Sequence, residues 1–187
     1  NNDTAYQTAI DLFYKQEVEV LTIIDVRHNS NGDLVKKAKE LGIEILFNCA
    51  VIDTKGRKKI NSVTISELNE NLDKTVGKPK KLSCDHLYVS GGWTPTVHLF
   101  SQSRGKLIYR ESDATFVPDK SFENEISIGS CNGTFELDEI LEETYSKMKS
   151  LLVEFGQKID GDPRLKTKKI FYDKLRHLWI VPSNKHF

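Results

Sequence analysis

A helical pattern that runs straight into an apolar strand is the strongest constraint on how this chain folds. In residues 3–16 the apolar side chains Ala5, Tyr6, Ala9, Ile10, Leu12 and Phe13 recur at helical spacing. Asn2 or Asp3 stands where an N-cap belongs. Residues 17–25 (EVEVLTIID) pass from alternating to continuous apolar character, the pattern of a buried strand. A helix feeding such a strand is half of a βαβ unit, and the sequence shows no strand before the helix. At the other end, Leu178-Trp179-Ile180-Val181-Pro182 is an apolar run of the kind that packs on a neighbour. Both ends lead us to expect a piece of a longer chain.

Between these ends, strands and helices alternate. Residues 29–32 form a turn, residues 33–41 a helix stopped by Gly42, and residues 43–47 a short strand. Residues 50–55 and 59–67 read as a β-hairpin turning at Lys55-Gly56. Residues 69–81 are polar and read as a loop, residues 82–89 as a strand, and residues 96–103 as a short helix. Strand-like pieces follow at 106–110 and 114–118, then a buried strand at 125–128 that meets Gly129. Residues 134–156 carry a helical stripe of Leu137, Ile140, Leu141, Tyr145, Met148 and Leu152. Residues 157–169 read as a charged linker, and the tail from 170 as a segment that docks elsewhere. This alternation calls for an α/β sheet with a β-hairpin excursion.

Composition narrows the partners. The chain has 187 residues, enough for one large domain or two small ones, and its 27 basic residues balance 27 acidic ones. That balance removes the simplest argument for nucleic acid or an acidic membrane as partner. The lysine-rich stretches 78–81 and 166–169 lack interleaved aromatics and read as solvated faces. No apolar run approaches the roughly 18 residues that span a bilayer, and the first residues lack a signal-peptide pattern. Cys49, Cys84 and Cys131 are three in number and widely spaced, which suits small buried thiols in a reducing, cytoplasmic setting. The five histidines form no ligand pair, so no metal site is expected.

Three loops stand where chemistry is possible. At the N-terminal helix, unpaired amides and the positive helix end favour an anion, and Asp25 ends the next strand where a Rossmann unit holds ribose hydroxyls. No G-x-G-x-x-G precedes it, so a capped structural helix beside a solvated Asp25–Arg27 edge is the stronger local reading. In the second loop, Ser90-Gly91-Gly92-Trp93, two glycines at a strand end allow close approach of a ligand to backbone, and Trp93 offers a flat wall. A tight chain reversal explains it equally well. The third, Gly129-Ser130-Cys131-Asn132-Gly133-Thr134, joins strand to helix and reads either as a phosphate cradle or as a capping loop. No catalytic acid, base or nucleophile is identifiable.

Taken together these residues resemble a known family. Residues 1–27 are similar to the "TNND-x-aYrtA-x-dL … D-x-R" segment of the α subunits of heterotetrameric sarcosine oxidases. Residues 89–107, VSGGWTPTVHLFSQSRGKL, are close to that family's "SGGW-x-P-x-vhLfsQsrGkl". The glycine-bearing loop at 128–135 and LWIVP at 178–182 also stand where the family has a loop and a "LW-x-vP" exit.

The resemblance implies an α/β fold of the two-dinucleotide-binding-domain type, like pyridine nucleotide-disulfide oxidoreductases, incomplete at both ends. Residues 1–81 would be the inserted nucleotide-fold domain, its first strand missing. Residues 82–156 would be the closing part of the FAD/NAD-type domain, and 157–187 a linker toward a folate-binding domain like the glycine-cleavage T protein. It implies NAD held in this region by Gly91, Gly92, Trp93, Gly129, Ser130, Gly133 and Thr134. FAD, FMN and tetrahydrofolate would belong to a parent complex with β, γ and δ subunits, which oxidatively demethylates sarcosine with oxygen to glycine and hydrogen peroxide. Disulfide-reductase relatives carry Gly-Asp in the last loop where this chain has Gly129-Ser130, and the lost carboxylate agrees with a dinucleotide other than FAD. Two other readings stay open. One is the α subunit of a related amine, opine or cyanide-forming dehydrogenase, or an FAD/NAD(P) reductase. The other is a non-catalytic structural interaction module.

Overall fold

The computed structural model describes residues 1–15, 18–157, 161, 165 and 167–182. The chain is mixed α/β and divides into two units, one of residues 1–92 with 171–187, the other of residues 93–170.

The first unit begins with α1 (Thr4–Lys15), whose Tyr6, Ala9 and Ile10 are buried. β1 (Ile23–Asp25), α2 (Asp33–Glu40) and β2 (Ile45–Phe47) form a βαβ crossover, with Ile23 opposite Ile45 and Asp25 opposite Phe47 in parallel register. Leu34, Val35 and Ala38 face α1 across Ile23 and Ile43, and this layer is the main core. The expected helices are both present. The strand expected over 17–25 is shorter: Glu17 lies outside the described residues, and pairing begins only at Ile23.

A three-stranded antiparallel sheet follows, ordered β3 (Cys49–Gly56), β4 (Ile60–Leu68), β5 (Thr75–Ser83). The expected hairpin forms, but Lys55 and Gly56 still belong to β3, paired with Ser62 and Ile60, and the chain reverses at residues 57–59. Residues 69–81, expected to be a loop, instead supply β5. Its lysines and Pro79 hid it, because they belong to a solvent-facing edge strand that tolerates charge and lacks one neighbour. The strand expected over 82–89 is correspondingly absent beyond Ser83. Tyr88 and Val89 there are 57% and 84% exposed, so their apolar character buries nothing within the unit. Val26, Ala50, Leu68 and Leu72 make a second small core, against which Leu178 of the tail packs. The described tail thus docks on this unit, with Tyr172 against the main core.

The second unit contains α3 (His98–Gln102), a hairpin of β6 (Lys106–Arg110) and β7 (Thr115–Lys120), a 3₁₀ turn over Gly129–Asn132, and α4 (Leu137–Glu154). The buried strand expected at 125–128 does not form: Ile126 is 47% exposed and these residues join no ladder. The stripe on α4 is present, yet none of its residues is fully buried. Among the described residues no helix is long and apolar enough to cross a membrane, and no group of three or more His, Cys, Asp and Glu could hold a metal.

Candidate functional site

The start of α1 and the end of β1 meet in a buried polar cluster. The Asn2 side-chain oxygen accepts the Thr4 amide at 3.0 Å and so caps the helix. That frees the Asp3 carboxylate to turn inward. Its Oδ1 lies 2.6 Å from Nη1 of Arg27, whose Nη2 lies 2.8 Å from Oδ2 of Asp25. Tyr6 completes the cluster by donating its hydroxyl to Asp25 Oδ2 at 2.7 Å. The Asp25–Arg27 edge, read as solvated, is therefore buried: Asp3, Asp25 and Arg27 are 2%, 2% and 4% exposed. Two carboxylates against one guanidinium make that burial possible.

Burial works against the charged form of Asp25. The hydrogen bonds from Arg27 and Tyr6 outweigh it and hold its pKa below the usual carboxylate range. Burial and the facing Asp25 together push the Tyr6 phenol far up, so the hydroxyl stays a donor. In a ribose-binding unit the strand-end carboxylate points outward to a ligand; here it points into the protein.

The second loop joins this cluster in the same unit. Asn1 Nδ2 donates to the Gly91 carbonyl at 3.0 Å, and the Thr4 and Ser90 hydroxyls are 2.9 Å apart. A Cβ on Gly91 would meet nothing within 4 Å, so this residue is open to solvent on that side. Gly92 has φ +107°, a conformation that favours glycine. Two loops singled out separately in the sequence are thus one surface of the first unit.

Trp93 and the third loop lie in the second unit. Trp93 is 62% exposed, with its ring centroid 6.3 Å from that of Phe135. The Gly129 amide donates to Glu143 Oε2 at 2.9 Å, and Asn132 Nδ2 to Oε1 at 2.5 Å. Lys147 Nζ lies 2.9 Å from the same oxygen. Burial opposes the charge on Glu143, but Lys147, the Gly129 amide, Asn132 and Thr134 draw its pKa down to about 2. Glu143 therefore fills the position that a phosphate would take in a cradle, and Gly129 and Thr134 spend their donors on it. Gly133 sits at φ +75°, and a Cβ there would lie 2.6 Å from Arg110 Nη2 and 2.9 Å from Val117 Cγ1. Of the expected residues in this loop, Ser130 remains exposed. An opening of roughly 660 Å³ beside Thr134 is lined by Asp138, Glu139, Glu142 and Glu143, with Lys169 as the one cation among its described lining residues. This loop does not fit a pyrophosphate.

Glu143 was not singled out in the sequence, since it sits within a helix with no motif around it; Asn132 was visible in the third loop as a polar group, and Tyr6 only as one member of an apolar helical stripe. The three cysteines depart from the buried-thiol expectation: Cys49 and Cys84 are half-buried and Cys131 is exposed. Burial and the nearby Glu67 push the Cys49 thiol up, so it is not an activated thiolate.

No protein-family model matches the chain. Curated relatives do. The chain is 33% identical over 137 residues, 72% of its length, to sarcosine oxidase subunit alpha of Corynebacterium sp. strain P-1. It is 26% identical over 97% of its length to the subunit of the same name from Corynebacterium sp. strain U-96. A third, from Rhizobium meliloti strain 1021, is 26% identical over 98% of the chain. The chain spans only 14 to 18% of the length of these relatives. Among solved structures, L-proline dehydrogenase from P. horikoshii aligns with 81% of this chain and 30% of its own, at 20% identity and a TM-score of 0.48. The resemblance read from residues 1–27 and 89–107 is shown by the curated matches: this chain is similar, over nearly its whole length, to one segment of sarcosine oxidase α subunits.

Proposed function

We propose that this chain is a segment of an oxidoreductase α subunit of the sarcosine oxidase kind, and that its part is to scaffold a nucleotide-holding region while amine oxidation takes place elsewhere in the complex. The observation that carries this reading is the 33% identity over 137 residues to a protein named sarcosine oxidase subunit alpha. In the parent complex, with β, γ and δ subunits, sarcosine would be oxidatively demethylated with oxygen to glycine and hydrogen peroxide. Tetrahydrofolate would take the one-carbon unit, and FAD and FMN would carry the electrons. The chain would work in the cytoplasm. The fold proposed is the two-dinucleotide type, with residues 1–81 as the inserted domain, 82–156 as the closing part of the first, and 157–187 leading onward.

NAD is the nucleotide proposed for this region. In the first unit the reading gives Gly91 and Gly92 the task of exposing backbone to it, which the open side of Gly91 and the φ of +107° at Gly92 support. In the second unit it gives Trp93 and Ser130 contact roles, both being exposed. Gly129, Gly133 and Thr134 shape the loop around Glu143 and do not serve as phosphate donors. Nicotinamide chemistry, hydride transfer, is what NAD supplies when bound.

Glu143 favours a second reading for the third loop alone, that of a structural knot with no nucleotide role. Co-expression of the full-length parent with its partner subunits, followed by extraction of bound cofactors, tests both. NAD recovered from the parent and lost in a folded Gly91→Val variant supports the proposal. A parent without NAD contradicts it, and retention in Gly129→Val agrees with the structural knot.

A further inference from the structure

We infer that the loop between β1 and α2 is an anion-binding site plugged by this chain's own tail, with the Asp173 carboxylate seated where a phosphate group would bind. The amides of Asn31 and Gly32 both donate to Asp173 Oδ2, the second at 2.6 Å. They stand at the N-terminus of α2, whose N-cap residue Gly32 offers no side chain of its own. Convergent amides and the positive helix end are the usual means of holding an anion.

An independent feature points the same way. Ser30 is 1% exposed, lines with Asp173 a cavity of roughly 630 Å³, and its hydroxyl has no hydrogen-bond partner among the described residues. A buried hydroxyl left unpaired is costly, and a phosphate has acceptor oxygens to spare where a carboxylate has two. Gly32 is packed between the Asp3 carboxylate and the tail. Its φ of −57° is one that any residue adopts. A Cβ there would nevertheless lie 2.4 Å from Asp3 Oδ2 and 3.1 Å from the Phe171 carbonyl oxygen. The glycine is therefore explained first by the Asp3 carboxylate and then by the backbone of the tail, which both pack against it.

The tail is fastened by polar contacts. Asp33 donates its amide to the Phe171 carbonyl at 3.0 Å, and the Phe171 amide donates to Asp33 Oδ2 at 3.1 Å. The Asp173 amide donates to Asp3 Oδ2 at 2.9 Å. His28, Lys174 and Arg176 also line the cavity. The carboxylates facing it, Asp3 and Asp33, are engaged by Arg27 and by the tail amides. A phosphoryl group competing with Asp173 would meet two amides, the Ser30 hydroxyl and a cationic rim. This inference does not depend on NAD at Gly91 and Gly92.

The test is amide hydrogen exchange on the full-length parent in its complex, read on peptides covering residues 27–36. The wild type should be protected and indifferent to added inorganic pyrophosphate. In Asp173→Ala, and in Asp173→Asn, which keeps the side-chain volume, exchange at Asn31 and Gly32 should rise about tenfold, the loss of a hydrogen bond to a charged group. Pyrophosphate should then restore protection in the variants. ADP acting at lower concentration than pyrophosphate would mark the site as one for nucleotides, and equal action as one for phosphate alone; both support it. Unchanged protection in either folded variant overturns the proposal. So does exposure that pyrophosphate fails to reverse, or pyrophosphate protection that is equal in the wild type. Peptides from α1 report folding in every arm.

Discussion

Arg27 grips Asp25 with two nitrogens, Nε at 3.1 Å and Nη2 at 2.8 Å from the same carboxylate oxygen, two residues apart and both buried. The pair closes the end of β1, and the Arg27–Asp3 contact ties that end to the start of α1. Arg suits this position because one planar fork serves two carboxylates, which a lysine cannot do.

Arg27→Met in the parent subunit should cost about 3–5 kcal/mol, because it strands two buried carboxylates. Arg27→Lys should recover only part of that. Chemical denaturation of the purified parent, with hydrogen exchange on residues 1–30 to localise the change, checks both. A shift within error for Arg27→Met would show that the cluster contributes nothing to folding.

The Glu143 pKa gives a pH dependence with a definite sign. Its folded value is depressed to about 2 from an ordinary 4.5. The stability it contributes is therefore fully present above the ordinary value and is lost as pH falls through about 2. Protection of the Gly129 loop against hydrogen exchange should decline across that acid window in the wild type. In Glu143→Gln it should be weaker at neutral pH and flat through the same window. Identical profiles for the two proteins would remove Glu143 as the loop's anchor.

Much of this was legible from residue spacing, and what was not has physical causes. The periods of α1, α2 and α4 are written in their apolar residues, and Gly56 announces the hairpin just before its turn at residues 57–59. β5 was missed because an edge strand with Lys78, Lys80 and Lys81 need not look apolar. Residues 82–89 and 125–128 look like strands, yet a strand exists only where a neighbour pairs with it. The loop glycines were visible, but the side chains that occupy their amides were not. Glu143 and Asp173 lie 14 and 141 residues from Gly129 and Gly32, and no motif links them.

Gly133→Ala tests the packing account of the third loop. The added methyl would meet Arg110 and Val117 at a positive φ, which predicts a loss on the order of 1–3 kcal/mol. Gly91→Ala, with open space around the new Cβ, should be nearly neutral. Melting of the two variant parents side by side checks the contrast. Equal losses would mean that neither position behaves as its surroundings indicate.

The most direct test of the central claim is sarcosine-dependent peroxide formation by the full-length parent co-expressed with its partner subunits. The account predicts hydrogen peroxide released in proportion to sarcosine consumed. A correctly assembled, flavin-loaded complex that forms no peroxide from sarcosine would contradict it.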